Sequence, residues 1–581
     1  MSNPSRPTVA WALALPALLL LLVFFFYPLL RIAGLSVSFP RLSMADYATV
    51  FNPVNRLIAL RTFYIAGSIT LITLVLAYPL AAFLARTQGM ARKLVMLCVV
   101  VPFLTSFLVR SYAWVVLLGD EGAINSFLQW LGVITDPLEL IYNRLGMTVG
   151  MVHIMLPLMA LPIYASMRGI DPMQWKASQA LGGGVLRSFL TVYLPQTFPG
   201  IRSGCTLVFI LSLGFYITPA MLGSSRDLML GNLIATNVET ATSYGFSAAI
   251  AFVLLLGTVL VFALVRRRER RPQGGLLARL FSRTLGLGQL TVALSGRGWA
   301  QGGGRAAGRG APIKPSWLLT AYGVLMCLYL VLPSVVVVVA SFNGQESLAF
   351  PPQQWSTRWY RFLLTDPQWA EAGWLSLKVA LASTVLTMVL GTLVSYAIAR
   401  PPGARSGRVM YGMALAPMVV PSVVTALGAF AVLSDLGLFG TMSGVVIMHT
   451  CLSIPLVTVL MVAAFSSFDE RLEMAAQSLG AGRWRTFRHV VMPLVAPSLL
   501  SSLLMSFLHS FDEVVLTSFI AGTRMMTVPL KMYENIRNQV DPAIAALSSL
   551  LILVPFIVLA LQALQRRRGP RNEQPGALPG V

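Results

Sequence analysis

Residues 171–199 read DPMQWKASQALGGGVLRSFLTVYLPQTFP, and residues 469–497 read DERLEMAAQSLGAGRWRTFRHVVMPLVAP. The two stretches align at a constant offset of 298 without a gap, and widening the comparison to 157–199 against 455–497 gives fourteen identities. Among them are Asp171/Asp469, Ala177/Ala475, Gln179/Gln477, Leu181/Leu479, Gly182/Gly480, Arg187/Arg485 and Pro195/Pro493. Each copy spells the same local structure. An Asp suited to cap a helix opens it, with Pro172 at the first helical position of one copy, and a Gly suited to end it follows about ten residues later. An arginine-bearing helix then runs to a proline. The pattern predicts a short helix lying along a membrane surface, present twice.

The flanks place these loops between membrane spans. The chain has 581 residues, 56% hydrophobic and 11% charged, against roughly 45–50% and about 25% in an ordinary soluble protein. Apolar windows long enough to cross a hydrocarbon core fall near 9–31, 63–85, 94–117, 147–168, 203–222, 244–265, 316–341, 374–399, 409–433, 440–465, 498–521 and 541–565. These windows predict an all-α integral membrane protein of about twelve transmembrane helices in two parallel repeats. The first half covers 1–265 with its loop at 169–198, and the second covers 316–581 with its loop at 467–496. A Gly- and Arg-rich linker, 266–315, joins them. The first window is expected to be retained as a span.

Net charge is +22, from 43 Lys and Arg against 21 Asp and Glu. Its distribution follows the membrane: about 30 of the 43 basic residues fall on the side of the termini and the paired loops, the bias that marks a cytoplasmic face. Both termini are therefore expected inside, and nucleic acid is not needed to explain the charge. Cys98, Cys205, Cys327 and Cys451 lie in or beside apolar segments without metal-ligand or disulfide spacing, and the four histidines share no helical face. We expect no metal, no cofactor on this chain and no catalytic residues. There is no G-x-x-x-x-G-K-[ST] for ATP.

The Ala-x-x-x-Leu-Gly run, followed thirteen residues later by Pro, resembles the loop of the inner-membrane permease subunits of binding-protein-dependent ABC importers. The family's Glu-Ala-Ala core is approximated by Glu473-Met474-Ala475-Ala476 in the second copy and by Lys176-Ala177 in the first, so the Glu beside the first Ala is replaced in both. Residues 107–114 (FLVRSYAW), 118–122 (LGDEG) and 214–219 (GFYITP) resemble the first permease of spermidine/putrescine importers. Residues 510–515 (SFDEVV) and 527–533 (TVPLKMY) resemble the second. The chain resembles the two fused. The resemblance implies the type I ABC importer permease fold in a bacterial inner membrane. It implies two ATP-binding-cassette subunits docked on Asp171, Lys176, Ala177 and Gly182 and on Asp469, Glu473, Ala475, Ala476 and Gly480. ATP and magnesium would reside on those subunits, and a periplasmic binding protein would deliver the solute.

Ionisable groups inside spans mark candidate pathways. Arg110 is expected near the outer end of the third span, and Asp512 and Glu513 in the middle or outer half of the eleventh, with Tyr216 and Thr218 at the corresponding place in the first half. Carboxylates beside aromatic rings suit a polyammonium solute. Pairing of Asp512 and Glu513 with Arg110 or Arg524 inside the bundle is the alternative role. An opine, an aminophosphonate or a metal chelate is an alternative solute. A secondary transporter is the reading from another class, and the parallel repeat argues against it.

Overall fold

The computed structural model describes residues 6–38, 42–240, 243–267, 315–346, 349–400, 403–538 and 541–568. All but the two ends of the expected linker, 266–315, lies outside them. In the first half the principal helices are α1 (Val9–Ser36), α2 (Pro53–Arg86), α3 (Gly89–Leu104), α4 (Phe107–Leu118), α5 (Arg144–Arg168), α6 (Pro172–Ala180), α7 (Leu194–Leu213), α8 (Ile217–Leu222), α9 (Leu230–Glu239) and α10 (Tyr244–Arg267). The second half repeats the order as α11 (Trp317–Ala340), α12 (Pro367–Ala399), α13 (Ala404–Leu415), α14 (Ser422–Asp435), α15 (Met442–Ser466), α16 (Glu470–Ser478), α17 (Met492–Phe511), α18 (Val515–Ile520), α19 (Val528–Asn538) and α20 (Ala543–Arg568). From α5 to α8 every boundary recurs 298 residues later, so the duplication preserves the register of backbone as well as of sequence.

Among the described residues eight helices are long and apolar enough to span a bilayer, and two bent pairs, α3–α4 and α13–α14, pass the same test together. The elements α7 and α20 take the places held by α17 and α10 in the other half, giving six crossings per half. Two of the expected spans are bent. The windows 94–117 and 409–433 are broken, with bends of 102° and 95°. Their apolar character runs on through the break, but Pro102 lies in the last turn of α3, and Pro417 and Pro421 interrupt the second copy. The windows 203–222 and 498–521 are also corrected. Helices α7 and α17 start nine and six residues before the expected bounds and stop at Leu213 and Phe511, so Asp512 and Glu513 lie in a break rather than in mid-span. Five-residue π-helical turns at Phe189–Tyr193 and Phe487–Val491 precede both helices. Pro195 and Pro493, which cannot donate to the carbonyl four residues back, account for the widened turns.

Burial shows how the bundle is arranged. In α5 and α15, 83% and 72% of the apolar window is buried, against 28–44% in the other spanning helices. These two are therefore central and the others face lipid on one side. Within each half the second, fifth and seventh helices pack together, and the first helix of each half crosses over: α1 lies on α12, and α11 lies on α2, α3 and α4. One hydrophobic cluster consequently includes residues of both halves. The halves interlock instead of merely touching.

Candidate functional site

At one end of the bundle the paired loops form as their sequences predict. Asp171 accepts from the Met173 amide at 2.9 Å and Asp469 from the Arg471 amide at 3.0 Å, capping α6 and α16. Each helix ends on a glycine at φ +85°, Gly182 and Gly480, a left-handed conformation that strains any residue with a Cβ. The tight endings raise Leu181 and Leu479 into the open, and both are 89% exposed. Lys176, Ala177 and Ala475 are also exposed and Ala476 is half-buried. Two apolar side chains therefore stand clear of the protein at equivalent positions of the two loops.

The loops are tied down differently. In α6 Trp175 packs edge-on against Tyr193 at 5.4 Å and Phe189 at 6.3 Å, and Phe189 meets Tyr78 of α2. The residue 298 positions after Trp175 is Glu473, whose carboxylate takes both oxygens to Arg400 Nη1 at 3.0 Å. Arg400 in turn lies over the Tyr396 ring at 5.2 Å. The pair is largely buried, at 19% and 13% side-chain exposure, so Glu473 ties its loop to the bundle. Breaking a buried pair leaves an uncompensated charge. Glu473→Gln should therefore raise amide exchange across Glu470–Ser478 roughly tenfold or more and leave Pro172–Ala180 unchanged, with Trp175→Ala doing the converse. Equal changes in both loops would contradict separate tethers.

Deeper in the bundle the two breaks meet the opposite halves. Asp512, just past α17, accepts from the Ser106 hydroxyl and from the Phe107 amide at 2.9 Å, capping the start of α4 across the interface. Its counterpart is Gly214. A Cβ there would come within 3.0 Å of the Pro421 side chain. Pro421 stands at the helix start where the other half has Ser106, so the hydroxyl donor is missing there and the close approach of Pro421 leaves little room for a side chain at 214. Glu513 caps locally, accepting from the Leu516 amide of α18 at 2.7 Å. Neither carboxylate relies on Arg524, which is exposed. Arg110 is buried in the first turn of α4 just after the break, 7% exposed, with Nη1 donating to the Ile154 carbonyl at 3.5 Å. Thr218 is buried against Ser111 at 3.0 Å and is a strut between α8 and α4.

His449 stands out only in the structure. Its ring joins Ser510 and Thr517, each at 2.9 Å, and Ser510 accepts from Ser383 of α12 at 2.7 Å. This buried network holds the region around Asp512 and Glu513. The one sequence signal was a histidine inside an apolar span.

At the end opposite the loops, where α7 and α17 arrive and α10 and α20 depart, a cavity of about 230 Å³ opens between the halves. Tyr216 is its hub. Its hydroxyl lies 2.8 Å from Ser518, its ring meets Tyr533 at 6.0 Å, and Asn232 donates to its carbonyl at 2.8 Å. Glu239 and Arg537 line the same cavity and pair at 2.8 Å.

Comparison with known proteins matches both halves, over residues 77–273 and 388–569, to the binding-protein-dependent transport system inner membrane component family. The chain belongs to this family. It is a fused permease of an ABC importer, two units in one chain, and a multi-pass inner-membrane protein. The spermidine/putrescine transport system permease protein PotB of Escherichia coli (strain K12) is 32% identical over 258 residues, covering 43% of this permease and 94% of that protein. PotC of the same organism is 28% identical over 245 residues, covering 42% and 92%. Among solved structures, a bacterial alginate ABC transporter in complex with an alginate pentasaccharide-bound periplasmic protein matches at 17% identity and a TM-score of 0.39, covering 46% of this chain and 96% of that one.

Proposed function

We propose that the permease carries a small polycationic solute inward, with spermidine or putrescine as the type, driven by two separate ATPase subunits and fed by a periplasmic binding protein. Both termini and the paired loops lie in the cytoplasm on this reading, and the Tyr216 cavity faces the periplasm. The ATPases dock on Leu181 and Leu479, with the short helices α6 and α16 relaying nucleotide-driven closure into the halves. ATP and its magnesium stay on those subunits. The observation that carries the reading is the matched exposure of Leu181 and Leu479 at 89% on two copies of one loop: a two-fold apolar surface fits a two-fold partner.

The solute class is supported by the likeness to PotB and PotC and by the chemistry of the far cavity, where tyrosine rings and a carboxylate face one space. The test is uptake of labelled spermidine and putrescine into proteoliposomes holding the permease with its ATPase and binding protein, beside a neutral solute. Saturable, ATP-dependent uptake of a polyamine alone is expected. Uptake only of an opine, an aminophosphonate or a metal chelate would keep the importer and refute the polyamine. Uptake that follows an ion gradient without ATP would refute both.

A further inference from the structure

The ion pair in the far cavity has an unusual address. Glu239 ends α9, and Arg537 lies in α19 at the position 298 residues later, so the two are the same residue of the repeat. Equivalent positions that touch across the two halves lie at the pseudo-two-fold axis. Identical halves would set like charges against each other there. This chain instead places a carboxylate opposite a guanidinium at 2.8 Å, in the wall of a cavity shared by Tyr216, Tyr533, Asn232 and Thr236.

The pair is accessible, with side chains 44% and 49% exposed for Glu239 and Arg537. Exposed ion pairs are worth about 0–1 kcal/mol, so another cation can compete for the carboxylate. The largely buried Arg400–Glu473 pair offers no such opening. A second carboxylate is near: Glu534, whose carboxyl is held above its usual range by burial first and then by the Glu239 charge, with Arg537 opposing. Glu239 alone is in contact with the guanidinium, and the second acidic group adds negative charge beside it. The tyrosine rings beside it present faces that attract alkylammonium groups, and the volume is several times the roughly 30 Å³ a water occupies.

We propose that this cavity is a cation-exchange site at the periplasmic mouth. Glu239 holds an ammonium group of the incoming polyamine by releasing Arg537, and cargo binding thereby unties the two halves at this face. The proposal rests on the polyamine reading given above and adds the residue that selects for charge and the contact that cargo breaks.

Polyamine uptake by the reconstituted transporter is compared for wild type, Glu239→Gln, Arg537→Gln and the exchanged pair Glu239→Arg/Arg537→Glu. Glu239→Gln should raise KM about three- to tenfold at little change in kcat, the size of a lost charge-assisted hydrogen bond. Arg537→Gln should lower KM, because the internal competitor is gone. The exchanged pair keeps one carboxylate and one guanidinium at the axis and should return KM to within about threefold of wild type. A pair that only ties the halves would instead give both single variants a lower kcat with KM unchanged, which would overturn the proposal, as would KM moving the same way in both. Wild-type uptake separates this from failure of the polyamine reading. If the solute proves neutral, Glu239→Gln with an unaltered KM for it removes the cation site too.

Discussion

Asp512→Ala should destabilise the permease by about 1–3 kcal/mol and cut transport tenfold or more. The carboxylate caps α4 from the other half, accepting from the Ser106 hydroxyl and the Phe107 amide. Its removal leaves a backbone N–H at a helix start without its acceptor, at a half-buried place between the halves. Asp512→Asn retains one acceptor oxygen and should lose less than half as much. Glu513→Gln keeps the acceptor for the Leu516 amide and should be nearly silent in stability. The reciprocal change, Gly214→Asp, forces a side chain against Pro421, where a Cβ alone would lie 3.0 Å from the ring, and should also lower the unfolding midpoint. Thermal unfolding in detergent read beside uptake checks the set. If Asp512→Ala left the unfolding midpoint in place and changed only KM, Asp512 would be a solute ligand and not a clamp between halves.

Leu181→Glu and Leu479→Glu carry the second large effect. A leucine side chain moved from water into an apolar contact contributes about 1.5–3 kcal/mol, and a carboxylate in its place adds a desolvation cost. Each single variant should lower solute-stimulated ATP hydrolysis about tenfold or more, and the double variant should abolish it. Folding should be unaffected to within about 0.5 kcal/mol, since both side chains are 89% exposed in the permease itself. Full stimulation in the double variant would remove these loops from the ATPase interface.

What could be read from the sequence follows from how local each signal is. The paired loops were legible because their determinants are neighbours: Asp171 and Met173, Gln179 and Gly182, each within one or two turns. Most spans were legible because greasy length alone decides them. The breaks at 105–106 and 419–421 were not, since the windows stay apolar on both sides and the bend depends on prolines that other helices tolerate: Pro157 and Pro455 lie inside unbroken α5 and α15. The partner of Asp512 was beyond reach for a different reason. Ser106 is 406 residues away, and only the interlocking of the halves brings it near. The burial of Arg110 was not legible because it depends on the bend just before α4 and on packing against α5. Glu239 and Arg537 stood in the sequence at the offset of the repeat, but nothing there marks which equivalent positions meet at the axis.

The central claim is that one chain supplies both halves of an importer and docks two ATPases on its paired loops. Native mass spectrometry of the purified transporter tests it most directly. The account predicts two ATPase subunits for each single copy of this chain. One ATPase per chain, or a complex in which two copies of this chain share two ATPases, would contradict it.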